Sequence, residues 1–387
     1  MTGTADVKDQ TARAARELAD EVTDFSLRIH AHPELGHQEH QAVGWCRDLL
    51  LRHGFEFAIV PGIDTAFVAT KKGSGPGPTI GFLAEYDALP GVDHGCGHNL
   101  IAGSAIGAGV FLARSMAHLP GTIKVYGCPA EELGTGKPMM LTAGAFAGLD
   151  AALTYHPWHA TALMEECTGV RLYEFAFTGR PAHAAAEPWA GASALDGVLL
   201  TYTNLNALRQ FTPDRTRIHG IISDGGQAVN VIPERAVCKI GVRSADVAEL
   251  DRLCARVVEC ARAGALASGT RLDIRETAFM QPIRYNQALA DAVRANLSAL
   301  GESVGAWRST VSTDFGNVSQ AVPAIFFTVA TWPETVAFHT REAAACAAQP
   351  QGLNAMLMAA HTMARTAMDL LLDPVAVSRI KADFAGL

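Results

Sequence analysis

The stretch that decides the fold occupies positions 81–100 and reads Gly-Phe-Leu-Ala-Glu-Tyr-Asp-Ala-Leu-Pro-Gly-Val-Asp-His-Gly-Cys-Gly-His-Asn-Leu. An apolar run, Thr79–Ala84, leads through it and predicts a strand that ends just before Asp87. A turn-forming loop then presents Cys96 and His98 two positions apart. Thiolate and imidazole are both ligands of a borderline-soft divalent metal. Taken alone, the pair fits a buried thiol beside a solvated histidine better than a metal site.

Two more strands of the same kind follow, Thr122–Gly127 and Ala151–Tyr155, and helix-forming stretches separate them. Strands that alternate with helices predict an α/β fold, with a mostly parallel sheet flanked by helices. In such a sheet, ligands bind beyond the carboxyl ends of the strands. Further elements are predicted as helices Asp9–His30, Gln38–His53, Leu100–His118, Met139–Gly144, Ala288–Leu300 and Asn354–Leu372, and as a strand Ala324–Val329.

Residues 169–281 differ in texture, because alternating strand patterns replace the continuous apolar runs. This stretch predicts an inserted α+β domain. The first domain, which carries the candidate ligands, is then discontinuous and comprises residues 1–168 and 282–387. The elements predicted within the insertion are strands Arg171–Thr178, Ile218–Ile222 and Val237–Val242, and helices Ser193–Leu208 and Val247–Ala267.

The composition is that of a globular, mildly acidic protein. Its 387 residues are 49% hydrophobic and 18% charged, and 31 basic against 39 acidic side chains give a net charge of −8. The absence of a Lys or Arg block argues against nucleic acid or an anionic membrane as the main partner, since both need a basic face. The eight cysteines follow no framework spacing. Without a signal or transmembrane pattern, we expect reduced thiols in a cytoplasmic protein that binds a small molecule.

Side chains of metal-ligand type recur where the other strands end. Glu131 and Glu132 follow the second strand, His156 follows the third, and His339 lies downstream of the last. Each alone has an ordinary explanation, as a solvated acidic turn or a structural histidine, but their coincidence at successive strand ends predicts one shared site. Five ligands are too many for one tetrahedral zinc ion and suit two metal ions with a bridging group. The candidate ligands are Cys96, His98, Glu132, His156 and His339.

The adjacent carboxylates Glu131 and Glu132 cannot both face the same way on a turn. One can bind a metal while its neighbour moves a proton, and we assign Glu131 as the general base. A two-metal site activates water for attack on a carbonyl, and the base then hands its proton to the leaving amine. The chemistry predicted from these residues is hydrolysis of an amide bond.

The ordered motifs of the chain resemble those of a known family. From about residue 20 to 370, the chain looks like the dinuclear metallopeptidases and aminoacylases that include carboxypeptidase G. It is most similar to their amidohydrolase branch, which contains aminobenzoyl-glutamate hydrolase, indole-acetyl-amino-acid hydrolase and the β-alanyl-lysine dipeptidase. The motifs that carry the resemblance are His32-Pro33-Glu34-Leu35-Gly36, Asp87-Ala88-Leu89-Pro90, Cys96-Gly97-His98-Asn99, Pro129-Ala130-Glu131-Glu132, Ala182-His183-Ala184 and Ser312-Thr313-Asp314.

The resemblance implies a role for each matching position. Cys96 takes the bridging place between two divalent metal ions, and the other four candidate ligands match the remaining ligand positions. Glu131 matches the general base, and Asp87 orients a ligand without binding metal itself. His183 matches a histidine of the inserted domain that reaches into a partner's active site and stabilises the developing oxyanion. The resemblance therefore implies a homodimer through the inserted domain, which also acts as a mobile lid.

Substrate contacts are predicted less sharply. Asn230 matches an asparagine that approaches the substrate. Arg284 and Arg243 are both candidates to pair with a substrate carboxylate, since guanidinium binds carboxylate through two hydrogen bonds, and the sequence does not separate them. Asp314, with Thr313, lies in the loop before the last strand, where it either lines the pocket or caps a turn. The ligand set suits zinc, although manganese or cobalt can also occupy such a site.

The function that we expect is metal-dependent hydrolysis of an N-acyl or aryl-acyl amino acid or of an unusual dipeptide. Three alternatives stay open. The same site could hydrolyse a non-peptide C–N bond, such as that of an aromatic amine. Cys96 could act as a nucleophile with His98 as its base, although two-residue spacing makes that pairing awkward. The chain could also be a catalytically silent binding protein, for which the full ligand set has no use.

Overall fold

The structure is a computed structural model that describes residues 4–386. The chain divides into two compact units, each with its own apolar core. The first, called the sheet unit below, comprises the residues up to 166, residues 283–309 and those from 314 onward. The second, called the inserted unit, comprises residues 167–282 and 310–313. Among the described residues, no helix has the length and apolar character that crossing a bilayer requires.

The strands and helices are numbered in chain order. The strands are β1 Glu56–Val60, β2 Ile63–Lys72, β3 Thr79–Glu85, β4 Thr122–Cys128, β5 Ala151–Trp158, β6 Ala162–Glu166, β7 Gly169–Thr178, β8 Arg217–Asp224, β9 Arg235–Ser244, β10 Arg271–Met280, β11 Gly305–Arg308 and β12 Ala324–Ala330. The helices are α1 Thr4–Glu17, α2 Ala19–His30, α3 His40–Arg52, α4 His98–Ala113, α5 Gly136–Thr142, α6 Ala194–Arg209, α7 Val247–Ser268, α8 Gln287–Ala299, α9 Phe315–Ala321, α10 Arg341–Cys346, α11 Pro350–Leu372 and α12 Pro374–Ala385.

An eight-stranded sheet forms the centre of the sheet unit, in the order β1-β2-β4-β3-β5-β12-β6-β11. The four central strands, β4, β3, β5 and β12, are parallel, whereas β1, β2 and β6 run antiparallel to a neighbour. Strand β3 is buried at every position after Thr79. Burial on both faces is typical of a parallel sheet covered on two sides, and it explains the unbroken apolar run in the sequence. The predicted fold class, a mostly parallel sheet with a separate α+β part, is confirmed.

Helix α4 follows the ligand loop and is buried along its whole length. Small residues allow this, because they let neighbouring helices approach closely. At Gly103, a Cβ atom would lie 2.1 Å from the Met356 sulfur in α11. The helix that begins at His98 is therefore fixed by close packing before any ligand binds.

The helix predicted for Asp9–His30 is two helices in the structure. The chain bends at Leu18, where φ is −103° and ψ is 3°, between α1 and α2. The bend keeps Ala14, Leu18 and Val22 buried together in the core. Helices α9, α10 and α12 were not predicted, nor were strands β1, β2, β6, β10 and β11, which lie near the margins of the two sheets. Strands β1, β6 and β11 have only four or five residues, and polar residues interrupt β2 and β10, so none of them has the continuous apolar run on which the prediction rests.

The inserted unit contains an antiparallel sheet in the order β10-β7-β9-β8. Helices α6 and α7 begin at the capping residues Ser193 and Asp246, whose side chains accept from backbone N–H groups of the first turn. Both helices pack on the sheet and enclose a core that includes Phe175, Phe177 and Val257. Strand β8 is an edge of this sheet, and its residues from His219 to Ser223 are all exposed.

Candidate metal centre

The loop after β3 and the start of α4 carry two of the predicted ligands. Cys96 is 8% exposed and His98 is fully buried. Gly97 between them has a φ of +78°, and a Cβ atom there would lie 2.8 Å from Pro157 Cγ. A side chain at this position would be strained and would collide, so glycine is what lets the thiol and the imidazole meet.

The other three ligands come from later strand ends of the sheet unit. Glu132 follows β4, His156 lies in β5, and His339 follows β12. The backbone N–H of His339 donates to the Gly95 carbonyl oxygen at 3.0 Å, which ties this residue to the Cys96 loop. Candidate ligands that are distant in sequence thus lie together at one edge of the parallel sheet, as the alternation of strands and helices predicts.

The ligand atoms form two groups that share Cys96. The sulfur of Cys96, one ring nitrogen of His98 and one of His156 all lie within 4.8 Å of one another. Cys96, Glu132 and His339 form a second group within the same limit. The sulfur of Cys96 lies 3.4 Å from Nε2 of His156. Two three-ligand groups with one common thiol suit two neighbouring cations.

Hydrogen bonds aim the imidazoles at this site. Nδ1 of His98 donates to the carboxylate and to the carbonyl oxygen of Asp87, each at 2.9 Å. Nδ1 of His156 donates to the Pro157 carbonyl oxygen at 2.8 Å. Because Nδ1 of each ring has an acceptor, Nε2 is the nitrogen left to bind a cation. The contact with His98 is the one by which Asp87 would orient a ligand.

The charge of the site tests whether cations fit it. Nε2 of His98 and Oε1 of Glu132 are buried and have no hydrogen-bond partner among residues 4–386. Burial, and then the Glu85 and Asp314 carboxylates, raise the pKa of Glu131 well above its ordinary value. Burial by itself lowers the pKa of His98, but Asp87 and Cys96 raise it well above the ordinary value. Unpartnered ligand atoms within an excess of negative charge fit two divalent cations.

Glu131 lies beside the ligand groups and belongs to neither of the two that contain Cys96. Its Oε2 atom is 3.8 Å from Nε2 of His98. It shares a third cluster with Glu85 and His98. A carboxylate that adjoins the ligands without being needed as one can move a proton, which is the role that the sequence predicts for it.

Lys137 is fully buried beneath this cluster and has no role in the site predicted from the sequence. Its ammonium forms ion pairs with Glu85, at 2.7 Å from Oε1, and with Asp314. Burial by itself lowers the pKa of Lys137, but Asp314 and Glu85 raise it well above the ordinary value. In the sequence, Glu85 directly follows the predicted strand Thr79–Ala84, and Lys137 follows Gly134 and Gly136 in the loop after the next strand. Nothing in their spacing showed that Asp314 would join them.

The structure places the remaining predicted contacts elsewhere than among the ligands. Asp314 is fully buried against Lys137. The guanidinium of Arg284 donates to the Phe384 carbonyl oxygen and lies over the Phe384 ring at 4.3 Å, so it packs on α12. In the inserted unit, Arg243 donates to Ser312 Oγ at 2.7 Å and to His219 Nε2 at 3.1 Å.

His183 and Asn230 are neighbours on the surface of the inserted unit, where both are exposed. The N–H of Ala184 donates to the Asn230 carbonyl oxygen at 3.0 Å. The N–H groups of Ala185 and Ala186 donate to Nδ1 of His183, at 3.2 and 3.1 Å. Since Nδ1 accepts these two hydrogen bonds, the ring proton is on Nε2. Nε2, at the outer edge of the ring, is therefore a hydrogen-bond donor.

The chain is similar to proteins whose activities are known. The model of peptidase family M20/M25/M40 matches residues 81–369. The Xaa-Arg dipeptidase of Mus musculus is 34% identical over 404 residues, which cover 98% of this chain and 92% of that protein. One of the subunits of the p-aminobenzoyl-glutamate hydrolase of Escherichia coli is 32% identical over 301 residues, 72% of this chain and 62% of that protein.

A solved structure shows the same fold. The Bacillus subtilis protein, described as a dinuclear metal-binding peptidase, superposes with a TM-score of 0.72 at 22% identity, over 92% of this chain and 99% of that one. These matches define a hydrolase class that acts on amide bonds with the help of metal ions. The chain belongs to peptidase family M20/M25/M40. The predicted resemblance, the enzyme class and the hydrolysis of acyl-amino acids or dipeptides are confirmed.

Proposed function

We propose that the chain is a dinuclear dipeptidase or aminoacylase in which Glu131 is the general base. Cys96 would be shared by the two ions, with His98 and His156 on one side and Glu132 and His339 on the other. The observation that carries the proposal is the pair of three-ligand groups around one thiol, with a separate carboxylate beside them. Zinc suits this mixed thiolate, imidazole and carboxylate set, and manganese or cobalt are the other candidates.

The residues of the site divide the work of hydrolysis. Two ions bound here would polarise the substrate carbonyl and lower the pKa of water. Glu131 accepts a proton from the water molecule whose oxygen attacks the carbonyl carbon. It then passes that proton to the amine nitrogen as the C–N bond breaks. Asp87 keeps Nε2 of His98 directed at the site through its two contacts with Nδ1. The Glu131 and Glu132 side chains are only 12% and 13% exposed, and the lower dielectric around them strengthens these interactions.

An aromatic surface beside the ligands supports a substrate class. Trp158 is stacked with Trp307 at 4.5 Å and with Phe338 at 4.8 Å between ring centroids, and all three are half-buried. Phe338 also contacts the His156 ring edge-on at 5.3 Å. Guanidinium groups bind well on aromatic faces. Together with the likeness to Xaa-Arg dipeptidases, this surface favours dipeptides with a basic residue, followed by aryl-acyl amino acids.

We further propose that His183 acts from a second copy of the chain, in a homodimer formed through the inserted unit. Strand β8 supports this proposal, since it is an edge strand whose exposed residues include Ile221 at 61% and Ile222 at 43%. An uncovered edge with apolar side chains is a typical pairing surface. His183 Nε2 would donate to the developing oxyanion, and Arg243 remains the candidate for a substrate carboxylate. Cysteines that follow no framework spacing suit a cytoplasmic location.

Mixed dimers test the role of His183. His183→Ala and Glu131→Gln homodimers should each be nearly inactive, because each lacks one part of every site. If His183 acts across the interface, mixing and re-associating the two variants should restore about a quarter of wild-type activity, since half of the dimers then have one complete site. A mixture as inactive as its components, in a preparation shown to contain heterodimers, would place His183 in its own chain's site.

Metal analysis and a substrate panel test the proposed function. We expect about two metal ions per chain and cleavage of Xaa-Arg and Xaa-Lys dipeptides, with N-acyl and aryl-acyl amino acids in the same panel. Chelation should abolish cleavage, and added zinc, manganese or cobalt should restore it. Metal without any amide cleavage would favour a non-peptide C–N substrate. Activity in a metal-free preparation would contradict the proposal and direct attention to Cys96 as a nucleophile.

A further inference from the structure

The segment between α2 and α3, residues 31–39, contains a motif that the proposed reaction does not use. It is nevertheless fixed to the loops of the metal centre. The N–H of Ala88 donates to the Glu34 carbonyl oxygen at 2.8 Å. The Glu34 carboxylate accepts from the N–H groups of Gln41 and Ala42, at 3.0 and 2.9 Å, and so caps α3. The segment is therefore rigidly held on one side by α3 and on the other by the Asp87 loop.

The same segment contacts the loop after β4, which carries Glu131. Oε1 of Glu39 accepts from the N–H of Ala130 at 2.8 Å, and the Glu39 side chain is fully buried. Gly36 packs so closely here that a Cβ atom would lie 3.0 Å from the Cβ of Ala130. Burial raises the pKa of Glu39 to about 7. Because Oε1 can accept whether or not Oε2 is protonated, the contact with Ala130 exists in both forms.

Ala130 has an unusual backbone conformation. Its φ is +52°, in the left-handed region, which costs a residue with a Cβ about 1–2 kcal/mol. Such a conformation persists only where the surroundings enforce it. Two buried carboxylates do so here: the N–H of Ala130 donates to Glu39, and the N–H of Glu132 donates to Asp87 Oδ2 at 3.1 Å. Glu131 lies between these two anchored peptide groups.

We propose that Glu39 is a positioning residue for Glu131. Its buried carboxyl group holds Ala130 in the left-handed conformation and thereby sets the direction in which the next side chain leaves the backbone. The proposal rests on the role of Glu131 as base. Displacement of a reacting group by about 1 Å can lower a rate about 100-fold, so relaxation of Ala130 would separate the base from the site without removing it.

The test compares Glu39→Ala with Glu39→Gln. The alanine variant should lower kcat about 100-fold, with KM nearly unchanged and the metal content of the wild type. The glutamine variant retains an oxygen that accepts from Ala130 N–H, and it should recover most of the lost rate. Amide hydrogen exchange measured in the same samples should be faster across residues 129–135 in the alanine variant only.

Asp150→Ala is the matched control. Asp150 Oδ2 accepts from the N–H of Thr79 at 2.7 Å, at the opposite end of β3 from the ligands. This variant also removes a carboxylate that accepts a hydrogen bond from a backbone N–H group. It should therefore lower the free energy of unfolding but leave kcat within about twofold of the wild type. If Glu39→Ala does not fold, Glu39→Gln and Gly36→Ala replace it: a Cβ at Gly36 would lie 3.0 Å from the Cβ of Ala130, so Gly36→Ala displaces Ala130 while the Glu39 carboxylate stays, and it should also lower kcat without loss of metal.

Three results would overturn the proposal. An unchanged kcat in Glu39→Ala, loss of metal in parallel with activity, or an equal loss in Asp150→Ala would each show that Glu39 does not act through the position of Glu131. Failure of the proposed role of Glu131 can be distinguished from failure of the proposal for Glu39, because it would appear as full activity of Glu131→Gln. Hydrogen exchange at 129–135 would still report whether Glu39 holds the loop.

Discussion

Glu131→Gln is expected to lower kcat by about 100- to 10,000-fold while the protein keeps two metal ions per chain. Glutamine has nearly the same shape as glutamate but cannot accept the proton of the attacking water. Because Glu131 is outside both groups that share Cys96, its loss should leave metal affinity almost intact. Steady-state kinetics and metal analysis of the same preparation measure the two effects together.

Two further substitutions make this prediction specific. Glu132→Gln changes the neighbouring carboxylate, which belongs to a ligand group, and should lose metal as well as activity. Glu334→Gln changes an exposed glutamate near the same end of the sheet unit and should behave as the wild type. If Glu131→Gln loses metal and Glu132→Gln keeps it, the roles are exchanged: Glu131 is the metal ligand and Glu132 is the general base.

Lys137→Met should destabilise the protein by about 3–5 kcal/mol, because it leaves the Glu85 and Asp314 carboxylates buried without a cation. The destabilisation caused by Lys137→Met should increase as the pH rises. Burial already raises the pKa of Asp314 to about 6, although Lys137 opposes the rise. In the variant, the folded state binds this proton more tightly than the unfolded state, so the free energy of unfolding falls above about pH 4. Chemical denaturation of the metal-free protein at several pH values measures the effect.

A surface ion pair provides the control for Lys137. Lys8 lies 2.9 Å from Asp369 with 46% of its side chain exposed, and Lys8→Met should change stability by less than about 1 kcal/mol. Lys137→Met combined with Asp314→Asn should recover part of the loss, since one of the two uncompensated charges is removed. Equal stability of Lys137→Met and wild type at pH 8 would show that the buried ion pairs contribute no net stabilisation.

The fold, and the proximity of the candidate ligands, could be predicted because both depend on order along the chain. A buried strand followed by a loop and a helix is visible as an apolar run, a set of turn residues and a helical period. In a parallel sheet the carboxyl ends of such strands meet at one edge, so Cys96, Glu132 and His156 could be expected near one another. Each of these residues follows or ends a strand that sequence analysis identified.

The supporting residues were not predictable in the same way. Lys137, Glu85 and Asp314 meet through packing of α5, β3 and α9, and ion pairing across separate elements leaves no periodic signal in the sequence. Asp314 was expected near the substrate because of its motif, and Arg284 because of its charge, yet both are engaged by buried or C-terminal neighbours. Glu39 likewise follows a recognised motif, but its contact with Ala130 required the three-dimensional arrangement of two loops.

The candidate metal ligands extend from Cys96 to His339 along the chain, and the whole inserted unit is synthesised between the third and the last of the strands that supply them. A ribosome must therefore release nearly the entire polypeptide before the second three-ligand group can assemble. Nascent chains and C-terminally truncated products that end before His339 would lack that group. The second candidate ligand group can thus form only late in synthesis, so we expect metal content to distinguish finished molecules from truncated ones.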